Sequence, residues 1–88
     1  MRSIRRTSRF KKDFKRIKKR GKDLDKFTEA VSLLLTDSTL PERFEDHELA
    51  GNYKGVRDIH IEPDWLLLYE KHPDELVLVR TGSHSDLF

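Results

Sequence analysis

All four histidines of the chain lie in its second half, at His47, His60, His72 and His84. An imidazole titrates near pH 6.5, so these side chains are well suited to give or take a proton at neutral pH. His60 lies in the stretch DIHIEPDW, where strand alternation places it between Asp58 and Glu62 on one face. This stretch therefore suggests either acid–base catalysis or metal binding.

The spacing of the histidines favours acid–base chemistry. Imidazoles and carboxylates both bind zinc, but the chain has no cysteine and no pair of histidines at i and i+4 on an expected helix. Each histidine also lies on a different segment. We therefore predict no metal and no cofactor. His72 lies inside an expected turn, HPDE, and we interpret it as an ordinary surface residue.

Asp64 has a sufficient structural explanation as a turn residue. It follows a proline in EPDW, and Asp74 occupies the same place in HPDE. Proline presets the first central position of a turn, and aspartate beside it forms local backbone hydrogen bonds. These residues alone favour a turn role for Asp64, with catalysis as the alternative.

Trp65 is the stronger indication of function. If the EPDW turn has two central residues, Ile61 pairs with Leu66 and both belong to an apolar face under the helices. Trp65 would then lie on the opposite face, diagonal to His60. An exposed indole there would suit a stacked nucleobase, at about 1–3 kcal/mol per base.

An amphipathic basic helix is predicted near the start of the chain. Ser8 is the expected N-cap, Phe10, Phe14 and Ile17 recur at i, i+4 and i+7, and Gly21 follows the end. The other faces carry bases, and the candidates for contact with a polyanionic partner are Lys11, Lys15, Lys18 and Lys19.

The remaining pattern predicts a second helix and then strands. Asp23 can cap this helix, which stops before Pro41. The expected strands are residues 2–6, His47–Leu49, Gly55–Glu62, Trp65–Lys71 and Glu75–Thr81. This order predicts one α+β domain over residues 1–88, with an N-terminal α-hairpin packed on one face of a small, mainly antiparallel sheet.

Charge is segregated along the chain. Residues 1–22 hold twelve Lys/Arg against one acid, a net +11, whereas the other six bases and fifteen acids give −9. Such a basic segment suits a polyanion, either nucleic acid or an acidic protein. The absence of cysteine favours a reducing, cytoplasmic location. No apolar run is long enough for a membrane span, and we expect no signal peptide.

The stretch RTGSHSDLF follows the last predicted strand directly. Arg80 is its nearest cation, Gly82 allows the chain to turn, and His84 and Phe88 lie beyond. Exposed chain ends usually fray, and these polar residues give no reason for burial. We therefore expect a free tail.

The blocks DHELAGNYKGVRDIHIEPDW, LLLYE and RTGSHSDLF, after a helical hairpin that ends in TLP, resemble the YafQ family of bacterial toxins within the RelE/ParE superfamily. The likeness is specific over residues 39–88 and is one of pattern over the helices. It implies a RelE-like fold and an mRNA interferase that cuts the message in the ribosomal A site. The implied partners are a cognate antitoxin and the ribosome with its mRNA, without a membrane.

The resemblance also implies a set of site residues. The histidines of D-H-x-L-x-G, D-x-H-x-E-P-D-W and R-T-G-[ST]-H match His47, His60 and His84, and the second motif supplies Asp64. The family's phenylalanine near the C-terminus matches Phe88. His72 has no counterpart in these motifs.

Cleavage by these residues would need no metal, because RNA carries its own nucleophile, the 2′-OH. The protein would supply a base, an acid and positive charge near the phosphate. We hypothesise that the three histidines provide the base, the acid and a phosphate contact, and that Asp64 orients one imidazole. The candidates for binding the message are Trp65, Phe88, Arg80, Arg57 and Lys54.

A non-enzymatic toxin of the ParE kind, which binds DNA gyrase, is the alternative. It shares the fold, so the fold cannot distinguish the two. The histidine set favours the nuclease, because a protein that only binds has no need of it. A small DNA-binding protein is a more distant alternative, and no helix-turn-helix spacing is visible.

Overall fold

A computed structural model describes residues 2–88. Its main elements, in chain order, are β1 (Ser3–Arg6), α1 (Ser8–Lys19), α2 (Leu24–Leu35), β2 (His47–Glu48), β3 (Arg57–Glu62), β4 (Trp65–Lys71), β5 (Glu75–Gly82) and α3 (His84–Leu87). Two 3-10 turns, Glu42–Phe44 and Gly51–Tyr53, lie between α2 and β3. The two predicted helices and five predicted strands are confirmed, and α3 is an additional element.

The strands form one sheet in the order β1-β5-β4-β3-β2. β1 runs parallel to β5 and the other pairs are antiparallel, as short hairpin turns require. The apolar stripes of α1 and α2 pack on one face of this sheet. The predicted α+β architecture is therefore confirmed. None of the helices in residues 2–88 has the length and apolar character needed to cross a membrane.

The main core lies between the helices and the sheet. Phe10 and Ile17 of α1 and Leu34 of α2 are each at most 2% exposed. The rings of Phe10 and Phe27 join the two helices with their centroids 5.9 Å apart. Burial of each such side chain stabilises the fold by about 1.5–3 kcal/mol. The core thus fixes the helical layer and leaves the opposite sheet face for other contacts.

Thr7 caps α1, and the prediction of Ser8 is wrong by one residue. The Thr7 hydroxyl oxygen accepts from the Phe10 N–H at 3.0 Å and donates to the Val79 carbonyl at 2.7 Å. The second bond joins the cap to β5, which explains why Thr7 rather than Ser8 caps the helix. The Asp23 cap of α2 is confirmed, since its carboxylate accepts from the Asp25 N–H.

A β-bulge beside the first hairpin reverses the predicted facing of β4. Glu62 lies opposite Trp65, as a two-residue turn requires, but His60 rather than Ile61 lies opposite Leu66. Ile61 is therefore an extra residue on β3. Because side chains alternate between faces, this shift of one residue exchanges the two sides of β4 relative to the prediction.

Trp65 consequently lies beneath the helices. Its side chain is fully buried, and Nε1 donates to the Thr81 hydroxyl at 2.9 Å, which in turn donates to the Leu66 carbonyl at 2.7 Å. A buried indole has no face available to a nucleobase. The predicted exposure of Trp65 and its predicted stacking on the message are therefore wrong, and so is the placement of Leu66 under the helices.

The sheet face away from α1 and α2 holds a second apolar cluster. Leu66 and Leu68 of β4 pack there against Leu87 of α3. α3 starts with a capping box, in which Ser83 and Asp86 each accept from the other's backbone N–H through their side chains. The expectation of a free tail is therefore wrong, because burial of Leu87 and this cap hold the segment in place.

Candidate active site

Three of the four histidines meet on the sheet face away from α1 and α2. The His60 ring of β3 lies between the other two, with its centroid 6.3 Å from that of His47 in β2 and 5.6 Å from that of His84 in α3. His72 lies elsewhere, in the β4–β5 turn, with Nε2 3.0 Å from a carboxylate oxygen of Glu70. The fold thus groups the three histidines proposed for catalysis and leaves His72 outside.

Asp58 lies beside His60 on this face and is almost entirely buried. Its Oδ1 and the Nδ1 of His60 are buried atoms with no hydrogen-bond partner among residues 2–88. Burial raises the pKa of the Asp58 carboxyl, and the imidazoles of His60, His47 and His84 act in the opposite direction. When it is ionised, this carboxylate stabilises protonated forms of the neighbouring rings.

The backbone of Glu45 orients His47. Nδ1 of His47 lies 2.7 Å from the Glu45 carbonyl oxygen, and because a carbonyl only accepts, Nδ1 carries the hydrogen. Nε2 lies 3.5 Å from Asp58 Oδ2 and is therefore the nitrogen that can exchange a proton. Glu45 has a φ of 47°, in the left-handed region that residues other than glycine adopt only where their surroundings hold them.

Asp46 fixes the segment in front of His47. Arg57 Nε and Nη2 lie 3.1 and 3.2 Å from its two carboxylate oxygens, and the Tyr69 hydroxyl donates to Oδ1 at 2.7 Å. Burial, followed by the bond to Asp46, raises the pKa of Tyr69, so this hydroxyl stays protonated as a donor. Arg57, predicted as a cation for phosphate, is thus already paired with a carboxylate.

Asp64 holds His84 from the β3–β4 turn. Its Oδ1 accepts from the His84 backbone N–H at 2.8 Å and from the ring Nδ1 at 2.6 Å. The backbone bond, followed by the ring bond, lowers the pKa of Asp64, so the group is a carboxylate at neutral pH. With Nδ1 engaged, Nε2 is the nitrogen of His84 that remains free to meet a substrate.

Asp86 anchors α3 to the end of α1. The guanidinium of Arg20 donates to both its carboxylate oxygens, at 2.6 and 3.0 Å, and this pair, with the Ser83 backbone N–H, strongly lowers the pKa of Asp86. A Cβ added at Gly82 would lie 2.9 Å from the Asp86 Cβ, so this close approach requires glycine. Four residues do not form a stable helix alone. These contacts therefore determine where His84 lies.

Arg80 forms a bidentate ion pair with Asp13 of α1. The two N–O distances are 2.9 and 3.0 Å, and Asp13 also accepts from the Thr81 backbone N–H at 3.3 Å. The Arg80 side chain is 11% exposed. Its use as a phosphate-binding cation stays a prediction, and its first task is to join α1 to β5.

The other predicted cations are exposed. Within residues 2–88 none of them takes part in an ion pair: Lys11, Lys15, Lys18, Lys19 and Lys54. Lys54 follows the Gly51–Tyr53 turn, and the four others lie along α1. Their charge is available to a partner.

Phe88 lies one helical turn beyond His84, to whose carbonyl its backbone N–H donates. Its side chain is 63% exposed. The ring meets that of Tyr53 edge to face, with centroids 5.9 Å apart and an angle of 81° between planes. Phe88 is thus exposed beside the histidines, as its predicted contact with the message requires.

Several residues that position the histidines are absent from the predicted site: Arg20, Asp46, Asp58 and Asp86. A local signal exists for the last of these, because Ser83–Asp86 has the sequence SHSD, the S-x-x-[DE] pattern of a helix start. Asp58 could have been found from its alternation with His60 along a strand. The partners of Asp46 and Arg20 are distant in sequence, and no local pattern indicates them.

The part of the chain that the structure describes contains no group of three or more histidine, cysteine, aspartate or glutamate side chains placed to hold a metal ion. The rings of His47 and His84 instead each direct Nδ1 to an oxygen of the protein. In this arrangement the donors do not form a metal-ligand set.

The chain is similar along its length to known bacterial toxins. A family described as "Bacterial toxin of type II toxin-antitoxin system, YafQ" matches residues 2–88. The mRNA interferase toxin YafQ of Escherichia coli K12 is 41% identical over 88 residues, which cover 99% of this chain and 96% of that protein.

Solved structures show the same likeness. A chain of the E. coli DinJ–YafQ complex superposes with a TM-score of 0.92 at 40% identity, covering 100% of this chain and 99% of that one. A metal-bound toxin from Helicobacter pylori superposes with a TM-score of 0.93 at 40% identity, with full coverage of both chains.

Proposed function

The chain belongs to the YafQ family of bacterial toxins of type II toxin–antitoxin systems, and on that basis we propose that it is an mRNA interferase, a ribosome-dependent endoribonuclease that needs no metal. The observation that supports this most is the contact of three imidazoles, from β2, β3 and α3, on one face of the sheet. A protein that only bound a partner would not need three titratable rings at such distances.

The reaction requires two proton transfers. A base takes the proton of the 2′-OH, whose oxygen forms a bond to the adjacent phosphorus, and the bond from phosphorus to the 5′-oxygen breaks as an acid protonates that oxygen. The products are a 2′,3′-cyclic phosphate and a free 5′-OH. Each positioned proton transfer contributes about 10²–10⁴-fold to the rate. Imidazoles can perform both steps near neutral pH.

The geometry suggests how the roles are divided. Asp64 stabilises the protonated ring of His84 and leaves its Nε2 free, which suits the acid that protonates the leaving oxygen. His60 lies at the centre, beside the buried Asp58, and His47 lies on its other side. The rings of His60 and His47 are therefore the candidates for the base and for the contact with the phosphate.

The basic helix α1 supports the proposed partners. Its exposed lysines can meet rRNA phosphates on the ribosome, and the same charge can attract an acidic segment of an antitoxin. The E. coli YafQ protein forms a complex with DinJ. We propose that this chain likewise has a cognate antitoxin, and that it acts in the cytoplasm, where translating ribosomes are found.

Primer extension on a message translated in a purified system tests the activity. We expect cuts by the wild type in the presence of ribosomes, and a loss of about 10²–10⁴-fold in rate for His60→Ala and for His84→Ala. His72→Ala is the matched control, because this histidine lies outside the site, and it should cut like the wild type. An intact message together with inhibited DNA gyrase would instead support a toxin of the ParE kind.

A separate experiment tests whether cleavage needs a metal, a question raised by the metal-bound structure of the H. pylori toxin. Cleavage should persist in EDTA after dialysis, and the product should end in a 2′,3′-cyclic phosphate. Loss of cutting in EDTA, restored by one added divalent cation, would show that this protein uses a metal.

A further inference from the structure

Tyr53 and Phe88 form an aromatic pair at the end of α3, the element that carries His84. Their rings meet edge to face at 5.9 Å. Phe88 is highly exposed and Tyr53 is half-buried, so neither ring is enclosed by the fold. An edge-to-face contact covers only one side of a ring and leaves room for a planar group.

The pair lies close to the reacting centre. Phe88 and His84 are separated by four residues, and the Phe88 N–H donates to the His84 carbonyl at 2.9 Å, so the two side chains lie on the same side of α3. His84 is the ring proposed to protonate the leaving oxygen. A base held by the aromatic pair would therefore belong to a nucleotide next to the scissile phosphate.

Tyr53 is held firmly, unlike a residue on a free loop. It packs on the second apolar cluster, which includes Val56, Leu66 and Leu87. The 3-10 turn that carries it is closed by backbone bonds, from Val56 N–H to the Tyr53 carbonyl at 2.9 Å and from Lys54 N–H to the Gly51 carbonyl at 3.1 Å. The ring thus has a fixed position before any ligand binds, which lowers the entropy cost of binding.

A basic groove lies between Arg80 and α1, where the Arg80 guanidinium pairs with Asp13. The groove beyond Arg80 is lined by Arg9, Lys12 and Arg16 together with Asp13. Four cations facing one carboxylate leave net positive charge for phosphates.

We propose that Tyr53 and Phe88 form the binding site for one nucleobase of the message beside the scissile phosphate, and that the basic groove receives the adjoining phosphates. Every nucleobase has a π-face, so such a site accepts different bases. Tyr53 would take the part that the sequence suggests for Trp65. This proposal rests on the proposed function as a ribonuclease.

Cleavage kinetics separate stacking from simple packing at Tyr53. Leucine fills the apolar cluster but has no π-face, so Tyr53→Leu should lower kcat/KM about 5- to 150-fold, mainly through KM. Tyr53→Phe keeps the ring and should stay within about threefold of the wild type, which is the matched control. Equal kcat/KM for the leucine variant and the wild type would overturn the proposal.

A binding experiment provides a second measurement that depends neither on cleavage nor on the folding of the leucine variant. Trp65 is buried, so its fluorescence should respond little to RNA. The Tyr53→Trp variant places an indole at the proposed site, and a single-stranded RNA hexamer should quench its emission. Adding Phe88→Ala should weaken that quenching at least fivefold in apparent Kd. Emission unchanged by the hexamer would refute the proposed base site.

The two experiments also distinguish this proposal from the proposed function. If the wild type leaves translated messages intact but RNA quenches the Tyr53→Trp variant, the nuclease assignment fails and the base site stands. If the wild type cuts but neither KM nor quenching responds at Tyr53, the base site fails and the nuclease assignment stands.

Discussion

The flanking histidines of the site are each oriented by an oxygen of the protein. His84 directs Nδ1 to Asp64, and His47 directs Nδ1 to the Glu45 carbonyl, so in both rings Nε2 is the nitrogen that can exchange a proton. His60 differs, because its buried Nδ1 meets no partner within residues 2–88. The hydrogen bond at one ring nitrogen determines which nitrogen can act. The fold therefore fixes the two outer imidazoles through Nδ1, whereas no hydrogen bond from the described residues fixes Nδ1 of the central one.

Replacing Asp64 tests this orientation. Asp64→Asn keeps the shape of the turn but removes the charge beside His84, so the protonated ring is less stable. We expect single-turnover cleavage to slow about tenfold or more, while KM changes little. Nitrogen-15 NMR of the His84 ring should show a lower population of the Nδ1-protonated form. A normal cleavage rate would mean that Asp64 is only a turn residue.

Asp58→Asn should raise the stability of the protein at pH 7 and lower its cleavage activity. Burial raises the pKa of Asp58, so the folded protein holds this proton more tightly than the unfolded chain does. Ionisation of Asp58 therefore costs stability as pH rises above the ordinary carboxyl value of about 4. The asparagine variant should be close to the wild type in urea unfolding below that pH and more stable at pH 7.

The same substitution should lower cleavage at pH 7, because the protonated rings lose a neighbouring carboxylate. The pH–rate profile should shift along the pH axis, which a purely structural residue would not cause. A variant whose stability relative to the wild type falls between pH 4 and pH 7 would contradict a raised pKa at Asp58.

The elements themselves followed from sequence periodicity, whereas the facing of one strand did not. The apolar stripes of α1 and α2 and the two x-Pro-Asp-x turns have local signals. The bulge at Ile61 has no local sequence signal, because it depends on how β3 fits beneath the helices. This single residue moved Trp65 from the expected surface into the core. The family motif nevertheless indicated the three histidines that the fold brings together, since motif matching does not depend on register.

The segment after β5 shows the opposite case. Its sequence contains a local signal for a helix start, but its polar composition led to the wrong prediction of a free tail. Polar residues suggested a free end, but Ser83 and Asp86 form a capping box and Leu87 is buried. The ion pair of Asp86 with Arg20 spans 66 positions, which no local pattern predicts. The site is therefore completed by a long-range contact.

Gly82→Ala tests whether α3 positions His84. The new Cβ would lie 2.9 Å from Asp86, so the capping box and the pair with Arg20 must shift. We expect cleavage to fall about tenfold or more, since small displacements of catalytic groups are costly.

The matched control is Gly21→Ala, at the residue that follows Arg20. Gly21 has a φ of 73° and open space around its Cβ position, so alanine should cost about 1–2 kcal/mol in the free energy of unfolding through backbone strain alone. It should leave cleavage of the folded protein unchanged. Equal activity of the two alanine variants would show that α3 tolerates displacement.

Charge in the molecule as a whole is divided between the N-terminal segment and the rest of the chain. Residues 1–22 carry most of the positive charge, and the net charge of the rest is negative. The groove with Arg9, Lys12 and Arg16 lies on the basic side and leads toward Arg80. Such a field steers a polyanion to one side of the protein.

Charge reversal on α1 should weaken ribosome binding without altering the core. We expect Lys11→Glu, Lys15→Glu and Lys18→Glu, combined, to raise the Kd for 70S ribosomes and to reduce the slope of log K against log salt by about one unit per lost phosphate contact. The triple Lys→Arg variant at the same positions is the control and should bind normally. Unchanged binding of the glutamate variant in a sedimentation assay would exclude α1 from the ribosome contact.

The parallel pairing of β1 with β5 has a consequence for biosynthesis. β1 is made before β5, its partner in the sheet, and His84 and Asp86 come later still. A nascent chain interrupted before β5 would lack both a neighbour for β1 and a third imidazole. Incomplete translation products would therefore lack the proposed site, and we expect cleavage to begin only when the fold closes.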